Sequence, residues 1–507
     1  MNLYKSVENN ALQDNEKTAI IYGDQRISYG GFLEHVNRIA AGLNALGLER
    51  GDRVALLMSN SADSVHCFYA AMKLGLVCVN LNIMFKEDEV NYILQDCEPK
   101  VMIANKPFLA FLNHIERYKN GSMKVISISN DDSAPEGTLD FSDFVKTPEQ
   151  EIQTVDAGDD EIAVIGYTSG TTGFPKGAAH THENVLAHLE GISSHLGYNS
   201  ADVILAALPF FQLVAFITHA CVAFHVGGTL VIHEKFDPVD FMQTIKKEKV
   251  TYFSAVPTIY QMLYSMSQKM DVDFSSVRFG ICAGSPLSLS LREKFESTFK
   301  FRIIHCYGMT EIALIAACET LNAPTQGVSV GHVLPYIRVR LVKEDGTPCG
   351  IGEDGEIQIG AERSMKLYWN KPAETQAALA GGWFRTGDVG RFNDEGHLHI
   401  IDRKKDMIIR GGFNVYPVEL ERVLLQDPRI QEAVVIGIPH ARLGEVPHAY
   451  IVPEKDAVIS EDDVLEISRT KTANFKAIET VEIVDTAFFP RTALGKVKKA
   501  DLRQNFN

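Results

Sequence analysis

Residues 53–81 read RVALLMSNSADSVHCFYAAMKLGLVCVNL. Residues 53–58 are an apolar run of strand length, residues 61–74 carry apolar side chains at helical spacing, and residues 76–81 are strand-like again. Strand, helix, strand predicts a β-α-β unit. The pattern returns downstream: strand-like 277–282, the loop AGSPL at 283–287, a helical stretch at 289–299 and a strand-like run at 302–306. A repeated unit of this kind predicts an α/β fold on parallel sheets. Ligands of such sheets gather beyond the carboxyl ends of the strands. AGSPL and YGMTE (307–311) each follow a strand directly.

The chain of 507 residues has room for roughly three domain-sized units. Its 45% hydrophobic and 22% charged content describes a globular protein with a large core. A formal charge of −16 repels backbone phosphates, so no nucleic-acid partner is expected. The short basic cluster Lys498, Lys499 and Arg503 reads as solvated surface. Eight cysteines without a C-x-x-C pair, several inside apolar runs, predict buried reduced thiols. Together with the lack of a charged-then-apolar leader, they give a cytoplasmic expectation. His180 and His182 form an H-x-H with no third ligand nearby, so no structural zinc is expected there.

Residues 203–233 lack charge, yet Pro209, Gln212, His219, His225 and the pair Gly227 and Gly228 break them into strand, loop, helix and strand. The helical piece, 213–226, is too short to cross a bilayer. No transmembrane segment is expected; a peripheral membrane contact and a homodimer are left open. Residues 346–360 predict tight β turns, and GGWFRTGD (381–388) predicts a punctuated loop. Strand-like 397–401 and 407–410 flank DRKKD (402–406), a charged connector suited to a hinge between a large domain, 1–402, and a small α+β domain, 403–507.

YTSGTTGFPKG (167–177) follows the apolar run 162–165. Gly170, Gly173 and Gly177 permit turns, Ser169, Thr171 and Thr172 add hydroxyl donors, and Lys176 adds a cation. The loop lacks the Walker spacing. By itself it reads as a phosphate cradle or as an ordinary turn.

In order along the chain come YTSGTTGFPKG, YGMTE, WFRTGD, DRKKDMI, GGFNVYP and PRTALGKVKK. In that order they resemble the adenylate-forming superfamily: acyl-CoA synthetases, peptide-synthetase adenylation domains and beetle luciferases. The likeness covers essentially the whole chain. It implies a large N-terminal domain of β-α-β layered subdomains plus a β-barrel-like part, followed by a small mobile α+β domain. It also implies a reaction in which a carboxylate attacks the α-phosphate of ATP, pyrophosphate leaves, and coenzyme A then takes the acyl group.

The same resemblance implies residue roles. Thr168, Ser169, Gly170, Thr171, Thr172, Gly173 and Lys176 would hold the β and γ phosphates. Tyr307 would stack on adenine, with Gly308, Met309 and the turn Gly284, Ser285 and Pro286 along the nucleotide. Asp388 would bind the ribose, Arg403 the ribose or a phosphate, and Thr310 a phosphate or the carboxylate. Glu311 would ligate Mg²⁺, which favours a carboxylate with phosphate oxygens. Lys496 would bring a positive charge to the reacting anions. Lys405 is the implied hinge, and Gly411 and Gly412 the implied path of the pantetheine arm.

Two departures stand out. Gln212 occupies a place where relatives often carry histidine, and Leu494 one where they commonly carry threonine. Phe211, Gln212, Ala215 and Phe216 are candidate acyl-pocket residues. The uncharged run around them predicts an apolar monocarboxylic acid, fatty or aryl. Three readings follow: an acyl-CoA ligase, favoured because the chain stops soon after Lys496; a free-standing enzyme loading a carrier protein; and a noncatalytic nucleotide-binding relative.

Overall fold

The computed structural model describes residues 2–129, 134–148, 152–168, 175–270, 272–284, 287–313, 315–321, 329–411, 413–492 and 495–506. Ser169, Gly170, Thr171, Thr172, Gly173, Ser285, Pro286, Gly412 and Leu494, all singled out above, lie outside the described residues.

Strand Arg53–Leu57, helix Ala62–Lys73 and strand Val77–Asn80 form the first β-α-β unit, its strands parallel with Arg53 opposite Val77. Ser61 and Ser64 cap the helix reciprocally, each hydroxyl oxygen accepting from the other's amide. The helix is buried on nearly every side, Lys73 included, because one core joins it to strands of two sheets. Its strands read as continuous apolar runs for the same reason: parallel strands are covered on both faces.

The second unit, Phe279–Cys282, Leu289–Phe299 and Arg302–Gly308, is parallel too. It belongs to a nine-stranded sheet, and the first unit to an eight-stranded one. A four-stranded antiparallel sheet, Val339–Val342, Gly355–Gly360, Trp383–Phe392 and Leu398–Arg403, open in its strand order, stands where the resemblance implied a β-barrel-like part. A last sheet of five strands runs from Ile408–Arg410 to Thr480–Ile483, with helices Pro417–Leu424 and Glu461–Lys471 beside it. Its core, around Leu420, Val435, Ile451 and Val464, is separate from those of the preceding residues. The architecture is thus α/β, with a large N-terminal domain and a small C-terminal one.

Three readings are corrected. GGWFRTGD is largely strand: Gly381 and Gly382 turn and Gly387 marks an irregularity with φ 72°, while strand Trp383–Phe392 has a ladder partner on each side, which overrides its glycine punctuation. The charged connector is shorter than expected, since Asp402 and Arg403 complete strand Leu398–Arg403. The basic tail is not simply solvated. Lys499 pairs with Glu421 at 2.7 Å and Arg503 with Asp406 at 3.0 Å, acids that the tail reaches only in the folded chain. Residues 203–233 fold as expected, strand Val203–Ala206, a helix over 213–226 and strand Thr229–Ile232, but a π-helical stretch, Ile217–Cys221, interrupts the helix. Among the described residues no helix is long and apolar enough to cross a membrane. The cysteines are free thiols, buried apart from a half-buried Cys349.

Candidate active site

The segment 307–311 leaves the carboxyl end of strand Arg302–Gly308 and turns through Thr310–Ile312. Tyr307 is buried, and its hydroxyl donates to Asp388 Oδ2 at 2.7 Å. Asp388 lies opposite Arg403 in the antiparallel ladder, and the Arg403 guanidinium pairs with its other oxygen at 3.0 Å. Both Asp388 oxygens are therefore oriented by protein donors.

Glu311 and Thr310 are held by residues distant in sequence. The Tyr368 hydroxyl donates to Glu311 Oε1 at 3.1 Å, and the Met365 amide donates to the Glu311 carbonyl at 2.6 Å. Burial raises the Glu311 carboxyl above its ordinary pKa, against the bonds that favour its anion. His180 Nε2 donates to the Thr310 carbonyl at 2.8 Å, and burial holds that imidazole neutral, its pKa lowered to about 4. Half of the H-x-H pair thus positions Thr310.

The predicted phosphate loop is tied to the same place. Its flanks pair as antiparallel strands, Ile162–Thr168 and Lys176–Thr181, with Thr168 opposite Lys176. Lys176 Nζ lies 5.3 Å from the centre of the Tyr368 ring, so one tyrosine touches both the loop lysine and Glu311. Gly166 lets strand Ile162–Thr168 approach closely: a Cβ there would sit 2.8 Å from Thr310 Cγ2 and 2.9 Å from Leu213 Cδ2. Gly284 follows strand Phe279–Cys282 with φ 83°, a turn suited to glycine.

Lys496 arrives from the other domain. The turn that carries it is closed by the Gly495 amide on the Thr492 carbonyl and the Thr492 amide on the Lys496 carbonyl, both at 2.8 Å. Gly495 takes φ 75° there. Part of the lysine side chain stays in solvent, while its ammonium is near enough to feel the charges of Arg403, Asp388, Asp406 and Lys499; desolvation, then the Arg403 charge, lower its pKa. Lys405 is exposed, and its carbonyl accepts from Arg503 at 3.4 Å. Gly411 turns the hairpin of Ile408–Arg410 and Phe413–Val415 with φ 57°, and is exposed.

The acyl-pocket candidates divide. Phe211 and Gln212 are half-buried, Gln212 preceding helix Leu213–Phe216, whereas Ala215 and Phe216 are buried. Phe216 packs against Phe68 and Phe210, with ring centres 4.4 and 5.3 Å apart, as a core residue. Asn60 and Asn80 hold the preceding turn through the Leu208 and Phe210 carbonyls, at 2.9 and 3.0 Å. In the π-helical stretch His219 bonds the Ala215 carbonyl at 2.7 Å and the Ser254 hydroxyl at 2.8 Å, spending its polar atoms on the wall itself. Tyr368, His180, Gly166 and His219 were not picked out as site residues. An aromatic in LYWN (367–370) or a glycine in a strand carries no sequence signal for such a role.

The AMP-binding enzyme family matches residues 7–369, and the AMP-binding enzyme C-terminal domain matches residues 419–496. The chain belongs to this family and is an AMP-forming acid–thiol ligase, with ATP and coenzyme A as co-substrates. Among curated relatives it is 34% identical to the long-chain-fatty-acid–CoA ligase FadD13 of Mycobacterium tuberculosis, over 96% of this chain and 94% of the relative. It is 32% identical to a feruloyl-CoA synthase of Amycolatopsis sp, over 96% of each chain. ATP-bound MatB from Rhodopseudomonas palustris superposes with a TM-score of 0.93 at 30% identity, covering 100% of this chain and 99% of that one.

Proposed function

We propose that the enzyme activates an apolar monocarboxylic acid, fatty or aryl, as an acyl-adenylate with release of pyrophosphate, and then passes the acyl group to coenzyme A. The observation that carries this reading is the convergence of Tyr307, Asp388, Arg403 and Lys496, from both ends of the chain, beside Thr310 and Glu311. Two anions must meet for a carboxylate oxygen to attack the α-phosphorus, and fixed positive charge lowers that barrier most. Lys496 and Arg403 supply it. Tyr307 and Asp388 orient the nucleoside, and Thr168 and Lys176 grip the phosphates beyond the bond that breaks.

Glu311 fits a Mg²⁺ ligand: it is a carboxylate oriented by Tyr368, and burial makes it costly to leave ionised without a cation. When bound, the ion would neutralise phosphate charge. The acid class is supported by the half-buried Phe211 and Gln212 before an uncharged helix, and by the names of relatives that act on fatty and aryl acids. For the second step we place the domain boundary between residues 402 and 403, with Lys405 as the pivot that brings Gly411 and Gly412 to the adenylate.

Incubation with ATP, Mg²⁺, coenzyme A and octanoate or benzoate tests the reading. AMP and acyl-CoA should appear together; AMP without a thioester would instead favour loading of a carrier protein. Lys405→Pro should slow thioester formation more than adenylation, and unchanged coenzyme A turnover would contradict rotation about that residue.

A further inference from the structure

Strands Arg302–Gly308 and Ile315–Cys318 run antiparallel with Cys306 opposite Cys318. The Glu319 amide donates to the His305 carbonyl at 3.2 Å, so the next pair, Cys306 and Cys318, is of the non-hydrogen-bonded kind, where facing side chains come closest. Their sulfurs are 3.0 Å apart, which leaves about 1 Å to a covalent disulfide. Both residues are buried. His195, half-buried near the end of helix His182–Leu196, reaches the carbonyl of Glu319, the residue after Cys318, at 3.3 Å.

The two thiols are unlike. Burial opposes a Cys318 thiolate, but bonds from Cys306 and His195 outweigh it and hold that thiol below its ordinary pKa. Burial pushes Cys306 well above. Cys67, Cys78, Cys97, Cys221, Cys282 and Cys349 are raised as well, burial being the first cause in each. A thiol with an adjacent base and a facing second thiol has the parts of a nucleophile and its resolving partner, and because both are buried a small oxidant reaches them when the short strand pair opens locally.

We propose that Cys306 and Cys318 are a redox modification site: a hydroperoxide joins them in a reversible disulfide, His195 carries the proton, and the bond adjusts the segment bearing Thr310 and Glu311. The Cys318 sulfur attacks the peroxide; the O–O bond breaks, water or an alcohol leaves with a proton from His195, and Cys318 becomes a sulfenic acid. The Cys306 sulfur then attacks the Cys318 sulfur, the S–O bond breaks, and hydroxide leaves as water with the Cys306 proton. Two thiols are oxidised by two electrons and one peroxide is reduced. Closing the sulfur gap pulls together the strands on either side of Thr310 and Glu311. A displacement of about 1 Å near reacting groups is enough to cost a large factor in rate.

The test treats the reduced whole enzyme with hydrogen peroxide, alkylates remaining thiols in denaturant, and maps peptides without reductant. A Cys306–Cys318 link that dithiothreitol removes is expected. ATP–pyrophosphate exchange should fall about tenfold on oxidation and recover on reduction. His195→Gln should slow linkage about tenfold while leaving the linked product the same. Both thiols staying alkylated, or peroxide linking other cysteines instead, would overturn the site; a link with unchanged exchange would overturn its coupling to ATP chemistry. That coupling rests on the acid-activation reading, which exchange by the untreated enzyme reports separately, whereas the peptide map needs no substrate.

Discussion

Glu311 and Lys496 approach the proposed ATP site from opposite parts of the chain, and they are secured in different ways. Glu311 is bonded at its side chain by Tyr368 and at its backbone by Met365, while the neighbouring Thr310 carbonyl takes a bond from a buried neutral histidine. Lys496 rides a turn closed by two backbone bonds around a left-handed glycine. A group held from several strands keeps one geometry. A group on a single turn can be brought and withdrawn with its domain, as an enzyme with two consecutive half-reactions requires.

The sharpest way to break this contrast is Lys496→Ala. Acid-dependent ATP–pyrophosphate exchange should fall about a thousandfold, while thioester formation from supplied acyl-adenylate is spared. Equal loss in both half-reactions would remove the distinction between a fixed and a delivered charge.

Tyr368→Phe should lower exchange about tenfold by freeing Glu311 from a charge-assisted bond, with a raised requirement for Mg²⁺. An unaltered Mg²⁺ titration would mean that the tyrosine only fills space. Gly495→Ala should act in the same direction but more weakly, a few-fold, because a side chain at φ 75° strains the turn that aims Lys496. The loss should be confined to the first half-reaction.

The smallest effect at neutral pH lies in stability. Burial lowers His180, His182 and His219 to about 4 and His188 to about 3. Depressed folded values mean that the unfolded chain binds protons first, so the stability present above pH 6.5 is lost as pH falls toward 4. The unfolding midpoint should drop steeply over that range. Asp402, at the domain boundary, has the opposite sign: burial raises it to about 6, so its contribution is full below its ordinary value of 3.8 and is lost as pH rises through 6. Asp402→Asn should remove that component, seen as a higher midpoint relative to the parent at pH 7 than at pH 4.

The β-α-β units were legible because each needs only local information: apolar runs of strand length, a helical stretch and turns between them. The motif order was equally legible, and the structure joins three of its residues directly, Tyr307 and Arg403 each bonding Asp388. GGWFRTGD was misread because its ladder partners lie elsewhere in the chain, and propensity says little once both edges are paired. The tail lysine and arginine were misread because Glu421 and Asp406 are 78 and 97 positions away. Phe216 matched a pocket pattern but is core, since buried aromatics at helical spacing look alike whether or not they line a cavity.

By itself, the sequence determined the α/β class, the order of the motif segments and the residue types within them, because propensity, glycine placement and charge are local properties. Only the tertiary structure decided which partners hold those residues: Tyr368 on Glu311, His180 on Thr310, Arg403 on Asp388, and Cys306 against Cys318. Each pair depends on strand register, and register follows from how whole sheets bury their faces, which no short stretch of chain can specify.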